Sequence, residues 1–237
     1  MMNIEEPRVL AVDSSSLTGS VALSLGSTVV AESLLNIRST HSEKLLKQID
    51  LLLIEAGWSL NDLDLLAAVT GPGSFTGLRI GIATVKGLSQ VLGKPVAAVS
   101  SLQAAAMNGV LSSIPVCAFL DARKNEVYSQ LFHFQGGIPV PMNAASVLPP
   151  EKMLRGLNGP VAFVGNGVPV YQNLISAILG KRALLPPPTA YQLRASHAAW
   201  LALDCWNRCQ ITPPSELQPT YIRPSDAELN FPKEKAS

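Results

Sequence analysis

Charge is scarce in this sequence. Asp, Glu, Lys and Arg make up 15% of its 237 residues, against about 25% in an average globular chain. The 18 basic and 17 acidic residues nearly cancel, to a formal net charge of +1. That is no footprint for gripping nucleic acid directly, which needs clustered Lys and Arg. Apolar residues are plentiful, with a mean hydropathy of +0.26. Yet no uninterrupted apolar run approaches the roughly 20 residues that cross a bilayer. The opening residues, Met1 to Pro7, are polar and acidic, unlike a secretory leader. The expectation is a soluble cytoplasmic protein, with no membrane partner and more apolar surface than one chain easily hides. Such surface often marks a partner site.

Cysteine and histidine are equally sparse, three of each. Cys117, Cys205 and Cys209 suggest no disulfide framework. Cys205 and Cys209 stand one helical turn apart, but with no His or third Cys nearby they read as buried core, not metal ligands. His41, His133 and His197 lie on separate elements. None belongs to an H-x-x-x-H or H-E-x-x-H pair, which leaves a metal hydrolase short of ligands. No G-x-S-x-G elbow is present for a serine hydrolase. A peptidase therefore lacks both a nucleophile and a metal site.

What is there centres on Val69 to Gly81. The apolar run Leu63 to Val69 reads as a buried strand, and Gly71-Pro72-Gly73 breaks it. Ser74 is a good N-cap. Helical spacing runs from Phe75 to Leu92, and Gly93 with Pro95 closes the segment. A strand, a glycine turn and a helix N-terminus can cradle an anion. The spacing matches neither the P-loop nor the dinucleotide fingerprint, so a plain connection is as good a reading. Gly77 and Gly81 share one face of the helix. Each costs about 1 kcal/mol relative to alanine, which implies a second backbone packed close to that face. Leu78, Ile82 and Val85 form a second face, and Arg79, Lys86 and Gln90 a third.

The chain opens with a strand, Arg8 to Val12, ending in Asp13-Ser14-Ser15-Ser16. Two strands follow, Ser20 to Leu25 and Thr28 to Leu34, joined by a tight Gly26-Ser27 turn. Thr40-His41-Ser42-Glu43 is a capping box for a helix that runs to Ala56, where Gly57 stops it. Leu45, Leu46, Ile49, Leu52, Leu53 and Ala56 form its core stripe. Leu51 and Ile54 fall on the opposite side, among Lys44, Lys47 and Asp50. Beyond the central helix come a strand, Pro95 to Val99, and an alanine-rich helix, Leu102 to Leu111. This order is that of a ribonuclease-H-like half. A second unit starts at Pro115 to Leu120, again ending in an aspartate, Asp121. Glu126 to Phe134, a helix near Glu151 to Gly156, Pro160 to Val164 and a helix from Pro169 to Leu179 continue it. Pro186-Pro187-Pro188 is a rigid spacer, and Ala195 to Cys209 is a last helix. The fold class expected is α/β, two ribonuclease-H-like halves of the actin, Hsp70 and sugar-kinase type. The division is 1–111 and 112–188, then a helix and tail packing back over 189–231, with a disordered end at 232–237. Asp121 is followed by Ala122-Arg123-Lys124, not by a glycine-rich phosphate loop, so tight nucleotide binding is not expected. No cofactor is expected; weak nucleotide binding stays open, with Asp13, Ser14, Gly71 and Gly73 as its candidates.

Gly71 to Thr84, GPGSFTGLRIGIAT, resembles the signature of the bacterial TsaB (YeaZ) proteins, subunits of the machinery that makes threonylcarbamoyladenosine in tRNA. The resemblance covers nearly the whole chain. It takes in Leu10 to Ser15, Thr40 to Glu43 with Leu45-Leu46, and Ser100-Ser101-Leu102. It continues through Leu120 to Arg123 with Glu126-Val127-Tyr128, and Pro219-Thr220-Tyr221-Ile222-Arg223. Lys124-Asn125 depart from the family's usual Met-Gly. The resemblance implies a non-catalytic paralogue of the transferase TsaD. Ser101 and Ala105 stand where that relative carries two metal-binding histidines. It further implies pairing with a TsaD-type transferase through the first two helices, with a TsaE-type ATPase joining the pair. TsaD would then modify the adenosine beside the anticodon, and tRNA would be met only through the complex. Leu51, Ile54, Lys47, Arg79, Ile82 and Lys86 are the expected partner surface, which alone would support a homodimer. The rival readings are an M22-like glycoprotease or peptidase and an actin-fold small-molecule kinase.

Overall fold

Burial along the first strand alternates between two apolar layers, and the rest of the fold follows from that alternation. The structure, a computed structural model, describes residues 6–36 and 41–223, with backbone alone for residues 41–43. Strand β1 (Arg8–Asp13) pairs antiparallel with β2 (Thr18–Leu25), which pairs in turn with β3 (Thr28–Asn36). After helix α1 (His41–Ala56), β4 (Leu65–Gly71) joins β1 in parallel. Helix α2 (Phe75–Leu92) crosses over to β5 (Val96–Ser100), giving the order β3-β2-β1-β4-β5. Leu10 and Val12 of β1 face α1 and α2, joining Leu45, Ile49, Leu53, Leu78, Ile82 and Val85. Val9 and Ala11 face the other way, onto a layer closed by later parts of the chain.

Helix α3 (Ser101–Ala106) leads to the second sheet. There β6 (Val116–Asp121) pairs antiparallel with β7 (Val127–Gln135), followed by β8 (Ile138–Pro141) and β9 (Ser146–Leu148), both on β7. Helix α4 (Pro150–Arg155), β10 (Val161–Val164), helix α5 (Val168–Leu179) and the short β11 (Ala183–Leu184) complete it. The order is β11-β10-β6-β7-β8. Helices α4 and α5 cover its outer face around Phe119 and Phe163. Leu102, Ala105 and Ala106 of α3 cover its inner face.

Helix α6 (Ala195–Asn207) returns the chain to the first sheet. Ala195, Ala198, Ala199 and Ala202 lie against Ala11, Ala22, Ala67 and Ala97. Small side chains on both surfaces let the helix settle close to the strands. The last described residues wrap around the edge of the same sheet. Thr212 bridges Val96, Leu217 is buried in the layer below α1 and α2, and the Thr220 amide donates to the Thr70 carbonyl at 2.7 Å. No helix among the described residues is long and apolar enough to cross a membrane.

Several expectations need correcting. Leu46, placed on the core stripe of α1, is 55% exposed, because the stripe is narrower and closes at Leu45, Ile49, Leu52 and Leu53. The alanine-rich helix ends at Ala106 and not at Leu111. Asn108 turns its side-chain amide onto the Ala105 carbonyl (3.2 Å) and the Gln192 carbonyl (3.1 Å), which ends the α-helical ladder. Cys209 is exposed and Cys205 only half-buried; α6 stops at Asn207 and Cys209 sits beyond it at φ 57°. Thr40 of the capping box, the side chains of residues 41–43 and the tail at 232–237 lie outside the described residues.

Candidate functional site

The turn after β4 forms as its residues dictate. Ser74 Oγ accepts the Gly77 amide at 3.2 Å, and Gly93 ends α2 in the left-handed region at φ 65°. What packs on the glycine face is the loop after β1. A Cβ at Gly77 would overlap the Ser14 carbonyl oxygen, and one at Gly81 the Ser14 hydroxyl. Ser14 Oγ donates to the Gly77 carbonyl at 2.7 Å, and the Ser74 amide donates to the Ser15 carbonyl at 2.7 Å. Asp13 shapes that loop, its Oδ1 accepting the Ser15 amide (2.8 Å) and the Ser15 hydroxyl (2.7 Å). Part of the helix N-terminus is thus satisfied by the protein's own backbone.

Of the four nucleotide candidates, Asp13 and Ser14 are 0% and 1% exposed. Gly71 is buried too, with the Thr220 carbonyl seated where a side chain would stand. Gly73 alone of the four reaches an opening, a cleft of about 480 Å³ between the two sheets. One wall is the Ser15–Leu17 loop and the start of α2; the other is the turn after β6 with Tyr128 and Asn166. Arg123, Lys124 and Asn125 in that turn all lie in the left-handed region, at φ 61°, 52° and 58°. The usual family glycine at position 125 would take such a φ without a Cβ penalty, which Asn125 does less easily.

The expected partner surface divides in two. On α1, Leu51 and Ile54 are 56% and 66% exposed, and Lys47 is exposed beside them. On α2, Ile82 is only 5% exposed and belongs to the core, so it has almost no surface to offer a partner. Arg79 and Lys86 are engaged by the C-terminal strap. Arg79 Nε donates to the Tyr221 hydroxyl at 3.2 Å while its guanidinium lies 3.8 Å over the Phe75 ring. Lys86 Nζ donates to the Ser215 carbonyl at 3.3 Å. Tyr221 stacks on Phe75 with ring centroids 5.1 Å apart, and Arg223 pairs with Glu126 at 2.7 Å. The strap therefore ties the start of α2 to the start of β7. The Pro219 to Arg223 motif was visible in the sequence, but nothing in its residues signalled these contacts.

Ser101 and Ala105 are fully buried in α3, and the Ser101 hydroxyl donates to the Pro72 carbonyl. His133 is exposed on β7. His197 Nδ1 lies 3.2 Å from the Ala104 carbonyl, and burial holds its pKa below the ordinary value. Among the described residues no three His, Cys, Asp or Glu side chains gather as metal ligands.

A family model described as TsaD, tRNA N6-adenosine threonylcarbamoyltransferase, matches residues 28–204. The tRNA threonylcarbamoyladenosine biosynthesis protein TsaB of Bacillus subtilis is 30% identical over 226 residues, 94% of this chain and 97% of its own. The chain belongs to the TsaB family. The Escherichia coli TsaB is 35% identical over 176 residues, covering 70% of this chain and 74% of that protein. A crystal structure of a Pseudomonas aeruginosa protein, described as similar to peptidase YEAZ, matches with a TM-score of 0.78 at 31% identity. It covers 92% of this chain and 100% of that one. Component A of the (R)-2-hydroxyglutaryl-CoA dehydratase of Acidaminococcus fermentans matches with a TM-score of 0.50 at 13% identity, over 84% of this chain and 98% of that one. That likeness is of fold alone: the TsaB chain has the two-half actin-like architecture. Its family is one of tRNA threonylcarbamoyladenosine biosynthesis.

Proposed function

We propose that this chain is a non-catalytic subunit of the threonylcarbamoyladenosine machinery in the cytoplasm, where it binds and supports a TsaD-type transferase. The transferase carries the chemistry on the adenosine beside the anticodon, and a TsaE-type ATPase joins the pair. The tRNA is met through the assembly. The observation that carries this reading is the pair Leu51 and Ile54, two large aliphatic side chains more than half exposed on one helix of a soluble-type fold. Each Leu or Ile buried in a contact contributes about 1.5–3 kcal/mol, so two suffice as the centre of a helix-packed interface. The same patch supports a homodimer when the chain is alone. In favour of a non-catalytic role, the α3 positions Ser101 and Ala105 are fully buried and carry no imidazole, and the Ser101 hydroxyl is spent on the Pro72 carbonyl.

The test is a Leu51→Asp, Ile54→Asp double variant. Both positions are exposed, so the variant keeps its fold and melting behaviour. It is expected to lose co-purification with a TsaD-type transferase by more than tenfold, because two carboxylates cannot be desolvated in an apolar contact. Undiminished co-purification would refute the assigned surface.

A further inference from the structure

We propose that the cleft between the two sheets binds a small organic anion, a molecule with one carboxylate or phosphate head and an apolar or planar body. The argument begins with donors. The first N–H groups of a helix have no partner in its own ladder. In the 18-residue α2 the Gly77 amide goes to Ser74 Oγ, and the Ser74 amide just ahead of it to the Ser15 carbonyl. The amides of Phe75 and Thr76 remain, and both residues line the cleft. Two amides at the positive end of a helix dipole suit one oxyanion head. They do not suit a polyphosphate chain, because the Ser14-Ser15 backbone fills the neighbouring space.

A second observation is independent of the helix. Tyr128 is 8% exposed, with its ring in the core beneath β6, and it lines the same cleft. Its hydroxyl makes no hydrogen bond to any described residue. With the ring held in the core, the hydroxyl keeps solvent contact on the cleft side, placed to donate to a ligand. Burial raises its pKa, so it stays protonated and donates.

The facing wall is also rich in donors. Asn166 Oδ1 accepts the Asp121 amide at 3.0 Å, which leaves its NH2 group as the outward donor. Arg123 rests one nitrogen on Asp121 at 3.3 Å with its side chain 65% exposed. The cleft's carboxylate, Asp121, has both oxygens already engaged, Oδ1 by the Arg123 amide and Oδ2 by its guanidinium. Donors outnumber open acceptors, which selects an anionic oxygen group over a neutral one. Leu17, Leu120 and Leu193 supply the apolar wall for the ligand body, and the volume is within the usual range of small-molecule sites.

This site shares no residue with the Leu51–Ile54 surface, so either can fail alone. Calorimetry on the full chain would compare AMP with adenosine, and benzoate with benzamide. At least one anion is expected to bind saturably, about tenfold tighter than its neutral counterpart, a margin worth one charge-assisted hydrogen bond. AMP alone would identify a phosphate head, and benzoate alone a carboxylate head. Tyr128→Phe removes only the hydroxyl and is expected to weaken the preferred anion about fivefold or more. Arg123→Gln, at an exposed position, gives the same reading should the first variant not fold. The proposal is overturned if neither anion saturates by about 10 mM, if the neutral controls bind as tightly, or if neither variant changes the affinity.

Discussion

Each half of this protein opens with a strand that ends in an aspartate, and the two aspartates begin alike. Asp13 Oδ1 accepts the amide two residues on, at Ser15, at 2.8 Å; Asp121 Oδ1 accepts the amide two residues on, at Arg123, at 2.9 Å. From there the halves diverge. The start of the Asp13 loop is pressed under α2 against Gly77 and Gly81, and Asp13 and Ser14 are fully buried there. The Asp121 turn stands open to the cleft and carries three successive left-handed residues, the first of them an arginine largely in solvent. Both loops go on to line the cleft, but Asp121 itself reaches it while Asp13 is sealed beneath the helix. What decides is not the aspartate but whether a helix with a glycine face closes over it.

The largest effect that would break this comparison is at the glycine face. Gly77→Ala is expected to destabilise the fold by about 3 kcal/mol, since the added carbon overlaps the Ser14 carbonyl and neither backbone can give way. Gly87 lies on the same helix with nothing within 4 Å of an added Cβ. Gly87→Ala should therefore stabilise by about 0.5–1 kcal/mol through helix propensity. Urea unfolding midpoints of the two variants must move in opposite directions. Next is the pair of aspartates. Asp13→Ala strands the Ser15 amide and hydroxyl in the core and is expected to cost about 2–3 kcal/mol. Asp121→Ala frees only the Arg123 amide and guanidinium, which lie on an exposed residue that water can reach, and should cost about 1 kcal/mol, less than Asp13→Ala. Equal losses would mean that the first loop is not the buried element described. The smallest effect sharpens the second half. Asn125→Gly relieves a left-handed residue and should stabilise by about 0.5 kcal/mol, read as a small rise in melting temperature.

The central helix was legible because its signals are local. Ser74 supplies a cap, Gly93 a left-handed stop, and the ladder between them runs from Phe75 to Leu92 as its spacing predicts. The close approach at Gly77 and Gly81 was legible too, since two helical glycines on one face have few other uses. What approaches them, Ser14, was not: it lies 63 residues away from Gly77, and no periodicity links the two. Leu46 was misread because it sits at the margin of a helical stripe, where a neighbour's position settles burial. Ile82 has the same spacing to the core as Leu78 and Val85, and that spacing outweighs its expected place at the surface. Of the candidate sites, Leu51 and Ile54 stood out by pattern, since large aliphatic residues among charges on a helix are exposed unless something covers them. The cleft could not be seen, because its walls come from both halves and from an irregular strap with no repeat of its own.

That strap has a consequence for how the protein is made. Leu217 completes the apolar layer under the first two helices, and α6, with part of α3, covers the other face of the same sheet. The first sheet thus waits for residues made some hundred positions later before its interior can close. A nascent chain halted after α3 would hold a sheet with one oily side largely uncovered, a substrate for chaperones until α6 is made.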